Sequence, residues 1–73
     1  MNKFFITKYN LTRNSKHDYK YAVVYQNLSN KTEIQIGAQY HSTRELAEKN
    51  PIVRGRYSHL KFLEIVEIEK VDA

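Results

Sequence analysis

The sequence contains no cysteine, no tryptophan, one proline and two glycines among its 73 residues. Without cysteine, the chain has no disulfide framework, no thiolate ligand for zinc or an iron–sulfur cluster, and no cysteine nucleophile. The two glycines, Gly37 and Gly55, stand 18 positions apart, so they do not form a glycine-rich phosphate-binding loop. Long apolar runs are missing as well, because the longest stretches hold three or four residues, whereas a membrane-spanning helix needs about 18. We therefore expect no metal, no cofactor and no membrane anchor.

What the chain does contain is typical of one small globular domain. Hydrophobic residues make up 41% and charged residues 27% of the sequence, which is too apolar for a disordered chain. A single domain spanning residues 1–73 is expected, because segments below about 50 residues rarely fold alone. A core of this size leaves little space for an enclosed active site. The sequence thus indicates a binding protein rather than an enzyme, and the cytoplasm, that of a host cell if the chain is viral, as its compartment.

Alternating side chains predict four strands, at residues 3–9, 19–26, 33–40 and 62–71. The second strand carries the clearest pattern, since a row of large side chains alternates with smaller or polar ones: Tyr19, Tyr21, Val23 and Tyr25. We expect this row to face the core, with one end of it reaching the surface. The segments 10–18, 27–31 and 54–59 are rich in polar and turn-forming residues and are predicted to be loops.

One short helix is predicted between the third and fourth strands. Ser42 stands three residues before Glu45, which is the spacing of a capping box at a helix start. Pro51 disfavours helical geometry at the residue before it, so the helix should cover about residues 43–49. The predicted fold class is α+β: a small antiparallel four-stranded sheet with one short helix, in the order β-β-β-α-β and in two layers.

The titratable residues do not suggest catalysis. The three histidines, His17, His41 and His59, are separated by 24 and 18 positions, which matches no common metal-ligand spacing. They are expected to be solvated loop residues without a catalytic or metal-binding role. The carboxylates of the last strand, among them Glu64, Glu67 and Glu69, are likewise expected on a solvent-exposed face.

Charge is distributed unevenly along the chain. Residues 1–31 carry six Lys or Arg and one Asp, residues 44–61 carry five Lys or Arg and two Glu, and residues 62–73 carry one Lys and four acidic residues. If the two basic segments share a surface, they attract phosphates or an acidic protein; the alternative is that these cations only keep the chain soluble. The candidate partner-binding residues are Arg54, Arg56, Tyr57, Arg13, Lys16, Lys20 and Arg44. In particular, the segment 54–57 combines two guanidiniums, a tyrosine and a glycine.

The segments 33–36, 42–48 and 63–68, predicted as strand, helix and strand, resemble in their organisation small phage-encoded inhibitors. These are the phage inhibitor of bacterial RNA polymerase and some small anti-CRISPR proteins. The resemblance covers about half of the chain, includes no specific motif and implies no particular site residue. It implies that the protein inhibits a host nucleic-acid-handling or defence machine by contact with a host protein or a protein–nucleic acid complex. Direct binding of DNA or RNA through the basic loops is the alternative, and the oligomeric state stays open.

Overall fold

The computed structural model describes residues 2–29, 32–33 and 35–72. This part of the chain forms six strands, one 3₁₀ turn and one α-helix. In chain order they are β1 (Asn2–Ile6), the 3₁₀ turn (Thr7–Tyr9), β2 (Leu11–Ser15), β3 (Tyr21–Asn27), β4 (Gln35–His41), α1 (Arg44–Glu48), β5 (Leu60–Glu67) and β6 (Glu69–Asp72).

The strands form two antiparallel three-stranded sheets. Sheet A has the order β2-β1-β6, and sheet B has the order β4-β3-β5. Only Ile68 separates β5 from β6, so one nearly continuous stretch of chain passes from sheet B into sheet A. The backbone N–H of Ile68 donates to the carbonyl of Lys20 at 3.0 Å. The two sheets are therefore joined covalently at a bend and cannot slide past each other there.

Alternation along β3 divides the core into two clusters. Ala22 and Val24 are fully buried against Ile6 of sheet A. Val23, which points to the opposite face, is fully buried against Ala47 of α1 and Ile52. Sheet B is thus a middle layer, with sheet A on one face and α1 with its following turn on the other. The helix-side cluster also includes Tyr21 and Tyr25 of the predicted tyrosine row.

A β-bulge changes the direction of side chains on β5. Val24 pairs with Glu64 and Tyr25 pairs with Phe62, which leaves Leu63 without a partner on β3. Leu63 packs in the cluster beneath sheet A, and Glu64 accepts hydrogen bonds from the 3₁₀ turn that follows β1. Because a bulge places two successive residues on one side of a strand, it explains why both side chains face sheet A.

The helix is shorter than predicted and begins one residue later. Thr43, and not Ser42, is the N-cap: its backbone is extended, and its hydroxyl accepts from the N–H of Leu46 at 3.2 Å. With Thr43 as the N-cap, Leu46 occupies the third helical position. The expected capping box needs Glu45 at that position, which would require Ser42 as the N-cap. The prediction misplaced the cap because two adjacent residues both have cap-forming hydroxyls. No helix in the described ranges is long and apolar enough to cross a membrane.

The predicted four-stranded sheet is wrong. The first error lies in residues 10–18, predicted as a loop, where Leu11–Ser15 forms the edge strand β2. Only Leu11 in this strand is apolar, and an edge strand needs little apolar alternation because it is mostly exposed. The second error lies in residues 62–71, predicted as one strand, which belong to β5 and β6 in different sheets. The observed architecture has six strands in two sheets and three layers instead of two.

Candidate functional site

Arg54, Arg56 and Tyr57 lie in an exposed turn, defined here as the distal turn, residues 54–59. The side chain of Tyr57 is 43% exposed, and its ring meets the ring of His59 edge-on with centroids 6.0 Å apart. Neither arginine forms an ion pair or a hydrogen bond through its side chain within the part of the chain that the structure describes. Gly55 has a φ of +69°, a conformation that other residues rarely adopt. The turn therefore presents two guanidiniums without a partner among the described residues, next in sequence to an exposed tyrosine.

The backbone at the base of the distal turn is fixed. The N–H groups of Arg54 and Arg56 both donate to the carbonyl of Pro51 at 3.1 Å, and that of Gly55 donates to Ile52 at 3.1 Å. At the other end, His59 accepts from the N–H of Leu28 at 2.7 Å. Leu28 is 47% exposed, so a second large apolar residue is accessible next to His59. Surface loops held by a rigid scaffold are common binding elements.

Asn50 anchors the segment between α1 and the distal turn. It is the one polar side chain classed as buried among the described residues, with 4% exposure. Its Nδ2 donates to Oε1 of Gln39 at 2.8 Å and lies 3.0 Å from Nε2 of His41, and its Oδ1 accepts from the N–H of Ile52 at 2.9 Å. Because the Asn50 amide can only donate to His41, the Nε2 of His41 is the unprotonated acceptor. Burial lowers the pKa of His41, which favours this neutral form.

Arg13 does not project from a loop as expected, since it lies on β2, opposite Phe4. Its guanidinium carbon is 5.3 Å from the ring centroid of Tyr40 and 5.9 Å from that of Tyr19. Tyr19 in turn has its ring centroid 5.7 Å from that of His17 and 5.8 Å from that of Tyr40. We define the N-terminal patch as this group with the two lysines beside it: Arg13, Lys16, His17, Tyr19, Lys20 and Tyr40.

An open groove of about 420 Å³ adjoins the N-terminal patch at the bend between β5 and β6. Tyr19, Lys20 and Tyr21 line one side of it, and Glu67 and Ile68 line the other. The groove also includes an ion pair between Asp18 and Lys70, with oxygen and nitrogen 3.1 Å apart. Since its lining carries both signs of charge, the groove offers no net attraction for an anion.

Arg44 lies beyond the groove, at the start of α1. Its guanidinium carbon is 5.9 Å from the ring centroid of Tyr21, and its Nε is 3.4 Å from a carboxylate oxygen of Glu48. This pair partly neutralises Arg44, although exposed ion pairs contribute little to stability. Of the predicted cations, Arg44 is therefore less available to a partner than Arg54 or Arg13.

The structure does not bring all the predicted partner-binding residues together. Tyr21, at the first position of β3, contacts Arg44 and pairs with His41. Asn27, at the last position of β3, pairs with Leu60, which directly follows the distal turn. The seven residues of β3 separate these positions by roughly 20 Å. The His59 end of the distal turn and the N-terminal patch thus lie at opposite ends of β3.

Glu64, predicted to lie on a solvent-exposed face, has a side chain that is 34% exposed and that also forms hydrogen bonds. One of its oxygens accepts from Nζ of Lys8 at 2.6 Å and also from the hydroxyl of Tyr9. These hydrogen bonds lower the pKa of Glu64 and raise those of Lys8 and Tyr9. A raised tyrosine pKa opposes ionisation, so the cluster is better suited to linking the two sheets than to proton transfer. Among the described residues, no group of three or more His, Asp or Glu could hold a metal ion.

Sequence reasoning placed the distal turn on the surface but missed several residues around the two surfaces. In the sequence, Asn50 is distinguished only as the residue before a proline, and Tyr40 only as part of an alternating strand. Their contacts depend on pairing between distant segments, and nothing local in the sequence signals them. Comparisons with known protein families, curated proteins and solved structures find no match to this chain.

Proposed function

We propose that the protein is a non-enzymatic binding module that uses the distal turn to contact an acidic surface of another protein and thereby inhibits a nucleic-acid-handling or defence machine of a host cell. The observation that carries the binding is the exposure of Arg54 and Arg56, both unpaired among the described residues, beside Tyr57. The inhibitory role follows from the resemblance of the strand–helix–strand segment to small phage inhibitors.

The chemistry of the distal turn suits a protein partner. Arginine and tyrosine are enriched at the energetic centres of protein interfaces, where a guanidinium forks onto a carboxylate and a tyrosine fills a pocket. The exposed side chains of Tyr57 and Leu28 add apolar area that a phosphate backbone would not use. An acidic protein surface with an adjoining apolar pocket matches both components.

The fixed backbone of this turn also favours binding. The bonds from residues 54–56 to Pro51 and Ile52 fix the backbone that carries the two arginine side chains before contact. Less conformational entropy is then lost on association, which raises affinity without additional contacts.

The test is affinity capture from a nuclease-treated bacterial lysate with the wild type and two double variants, quantified by mass spectrometry. Arg54→Glu with Arg56→Glu reverses the charge of the distal turn, and Lys16→Glu with Lys20→Glu is the matched control in the N-terminal patch. Each exchange removes two charges, so both double variants change the net charge from +4 to 0. The melting temperature of each variant checks that the fold is retained.

We expect one nuclease-resistant protein that the wild type and the lysine control capture equally and that the arginine variant captures at least about tenfold less. The wild type should inhibit the purified partner, and the arginine variant should not. Equal capture by the arginine variant, or capture that nuclease abolishes, would contradict the proposal.

A further inference from the structure

The N-terminal patch forms a second surface whose composition differs from that of the distal turn. Its central residue is Arg13, which lies over the rings of Tyr40 and Tyr19 at 5.3 and 5.9 Å. Arg13 is exposed, and its side chain forms no ion pair or hydrogen bond with any residue that the structure describes. The two rings hold the guanidinium in place while its donors stay available to a ligand.

Aromatic rings extend from Arg13 along the surface. The ring of Tyr19 is tilted against that of Tyr40 on one side and that of His17 on the other. Below them, the buried ring of Phe4 has its centroid 5.4 Å from that of Tyr19 and 6.4 Å from that of Tyr40. This floor fixes the ring positions while the half-buried Tyr19 and the exposed His17 retain accessible area.

The charge around these rings is positive. Lys16 and Lys20 are exposed and have no acidic partner within the described residues. The nearest acidic residue in sequence is Asp18, which is paired with Lys70. Glu67, on the opposite side of the adjoining groove, is the other carboxylate that lines it, so within the groove an anion is favoured on the side of Lys20.

We propose that the N-terminal patch binds single-stranded nucleic acid, with bases stacked on Tyr19 and on the guanidinium of Arg13, and with phosphates held by Arg13, Lys16 and Lys20. Alternation of rings and cations matches a ligand in which a flat base and a phosphate repeat along one strand. An acidic peptide supplies the charge but not the repeated planar face. A duplex supplies phosphates, but its bases are stacked on one another and do not present their faces.

The inference goes beyond the proposed function, because it concerns another surface and another class of ligand. Burial raises the pKa of Tyr40, so its ring stays neutral beside the phosphates. A nucleic-acid-handling machine contains a protein and a nucleic acid. The distal turn would contact the protein, and the N-terminal patch would contact the nucleic acid.

The experiment measures fluorescence anisotropy of a labelled oligothymidylate of about 12 nucleotides, a length within the range of known single-strand sites. Affinity is measured between about 50 and 200 mM salt for the wild type, Arg13→Ala, Arg13→Lys, Tyr19→Leu and Tyr19→Phe. Arg54→Ala with Arg56→Ala is the matched control, since it removes more charge at the distal turn. Near-ultraviolet circular dichroism and thermal melting check the fold of each variant.

We expect Arg13→Ala to weaken binding at least about tenfold and to reduce the log-affinity against log-salt slope by about 0.7, the value for one phosphate on a single strand. Arg13→Lys should weaken binding with the slope unchanged, because the charge stays while the stacking plane is lost. Tyr19→Leu should weaken binding without changing the slope, and Tyr19→Phe should restore it because the ring remains. The double arginine control should bind within about threefold of the wild type.

Four results would overturn the inference. They are no binding of the oligothymidylate at the lowest salt, equal losses in the distal control and in Arg13→Ala, equal affinity for a duplex of the same length, and equal affinity for poly-glutamate. The last of these would assign the patch to an acidic protein. None of them bears on capture by the distal turn, so the two proposals fail independently.

Discussion

The two faces of sheet B are stabilised in different ways. On one face, Ala22 and Val24 are covered by a second sheet through an apolar cluster, and Glu64 adds hydrogen bonds with Lys8 and Tyr9. On the other face, Val23 is covered by a five-residue helix and a turn, and the buried side chain of Asn50 provides directional hydrogen bonds. The difference shows that stability need not be uniform in so small a chain: the face that supports the distal turn depends on a few polar contacts.

The largest effect is expected from Phe4→Ala, on the sheet-covered face. Phe4 has no exposed surface and contacts the rings of Tyr19 and Tyr40. Truncation should cost about 3–5 kcal/mol of unfolding free energy, because it removes buried area and leaves a cavity. Urea unfolding followed by circular dichroism measures this loss. Phe5→Ala is the control, since Phe5 is on the outer face of sheet A and only half-buried; a loss as large as that of Phe4→Ala would contradict the comparison.

A smaller and more local effect is expected from Asn50→Ala. The change removes the hydrogen bonds to Gln39, His41 and Ile52. We expect a loss of about 1–3 kcal/mol, the usual cost of leaving buried polar groups unsatisfied. Hydrogen exchange should accelerate in residues 44–56, while β1 and β3 stay protected.

The control for this local effect is Asn14→Ala, in the exposed edge strand β2. It should change stability by less than about 0.5 kcal/mol. Faster exchange spread evenly over both sheets in Asn50→Ala would show that the two faces unfold as one unit and that the comparison is mistaken.

The mildest test changes only the pH. The pKa of His41 is lowered by burial from its ordinary value of 6.5, so the folded state binds fewer protons than the unfolded state. The stabilisation from neutral His41 is complete above 6.5 and is lost as the pH falls through the lowered pKa. The pKa of Glu64 is lowered from 4.5 by hydrogen bonds from Lys8 and Tyr9, so its contribution is lost only below 4.5.

Between these two pH values, protonation of His41 should destabilise the face of sheet B that is covered by α1. The hydrogen bonds of Glu64, which link the two sheets, should stay intact. Hydrogen exchange at a pH between 4.5 and 6.5 should therefore accelerate first in residues 44–56. His41→Gln keeps a side-chain acceptor but does not titrate, so it should flatten this dependence. An unchanged pH profile in His41→Gln would assign the effect to other groups.

The sequence predicted the elements whose alternation is strong. The hairpin of β3 and β4 and the exposed distal turn lie where the pattern indicated, because large side chains in β3 and β4 alternate with smaller or polar ones and the turn has no periodicity. It did not predict β2, since an exposed edge strand with one apolar residue has the composition of a loop. The sequence pattern also did not predict the bend at Ile68, because β-branched residues occur on both sides of it.

The candidate surfaces show the same limit. Arg54, Arg56 and Tyr57 are neighbours in the sequence, so their association needed no tertiary information. The position of Arg13 over Tyr40 depends on two sheets meeting, and the bonds of Asn50 depend on a turn folding back on β4. A single sequence offers no covariation that would reveal such pairs.

The pairing of β1 with β6 affects how the protein is made. Residues 2–5 lie opposite residues 69–72, so sheet A joins segments separated by almost the whole described length. During synthesis, β1 emerges from the ribosome first but has its complete set of partners only after β6 has emerged. Closing so long a loop is entropically costly, and folds dominated by distant contacts form slowly. The nascent chain therefore carries an unpaired edge of β1 until β6 has emerged, a period in which a chaperone or a second nascent chain can bind it.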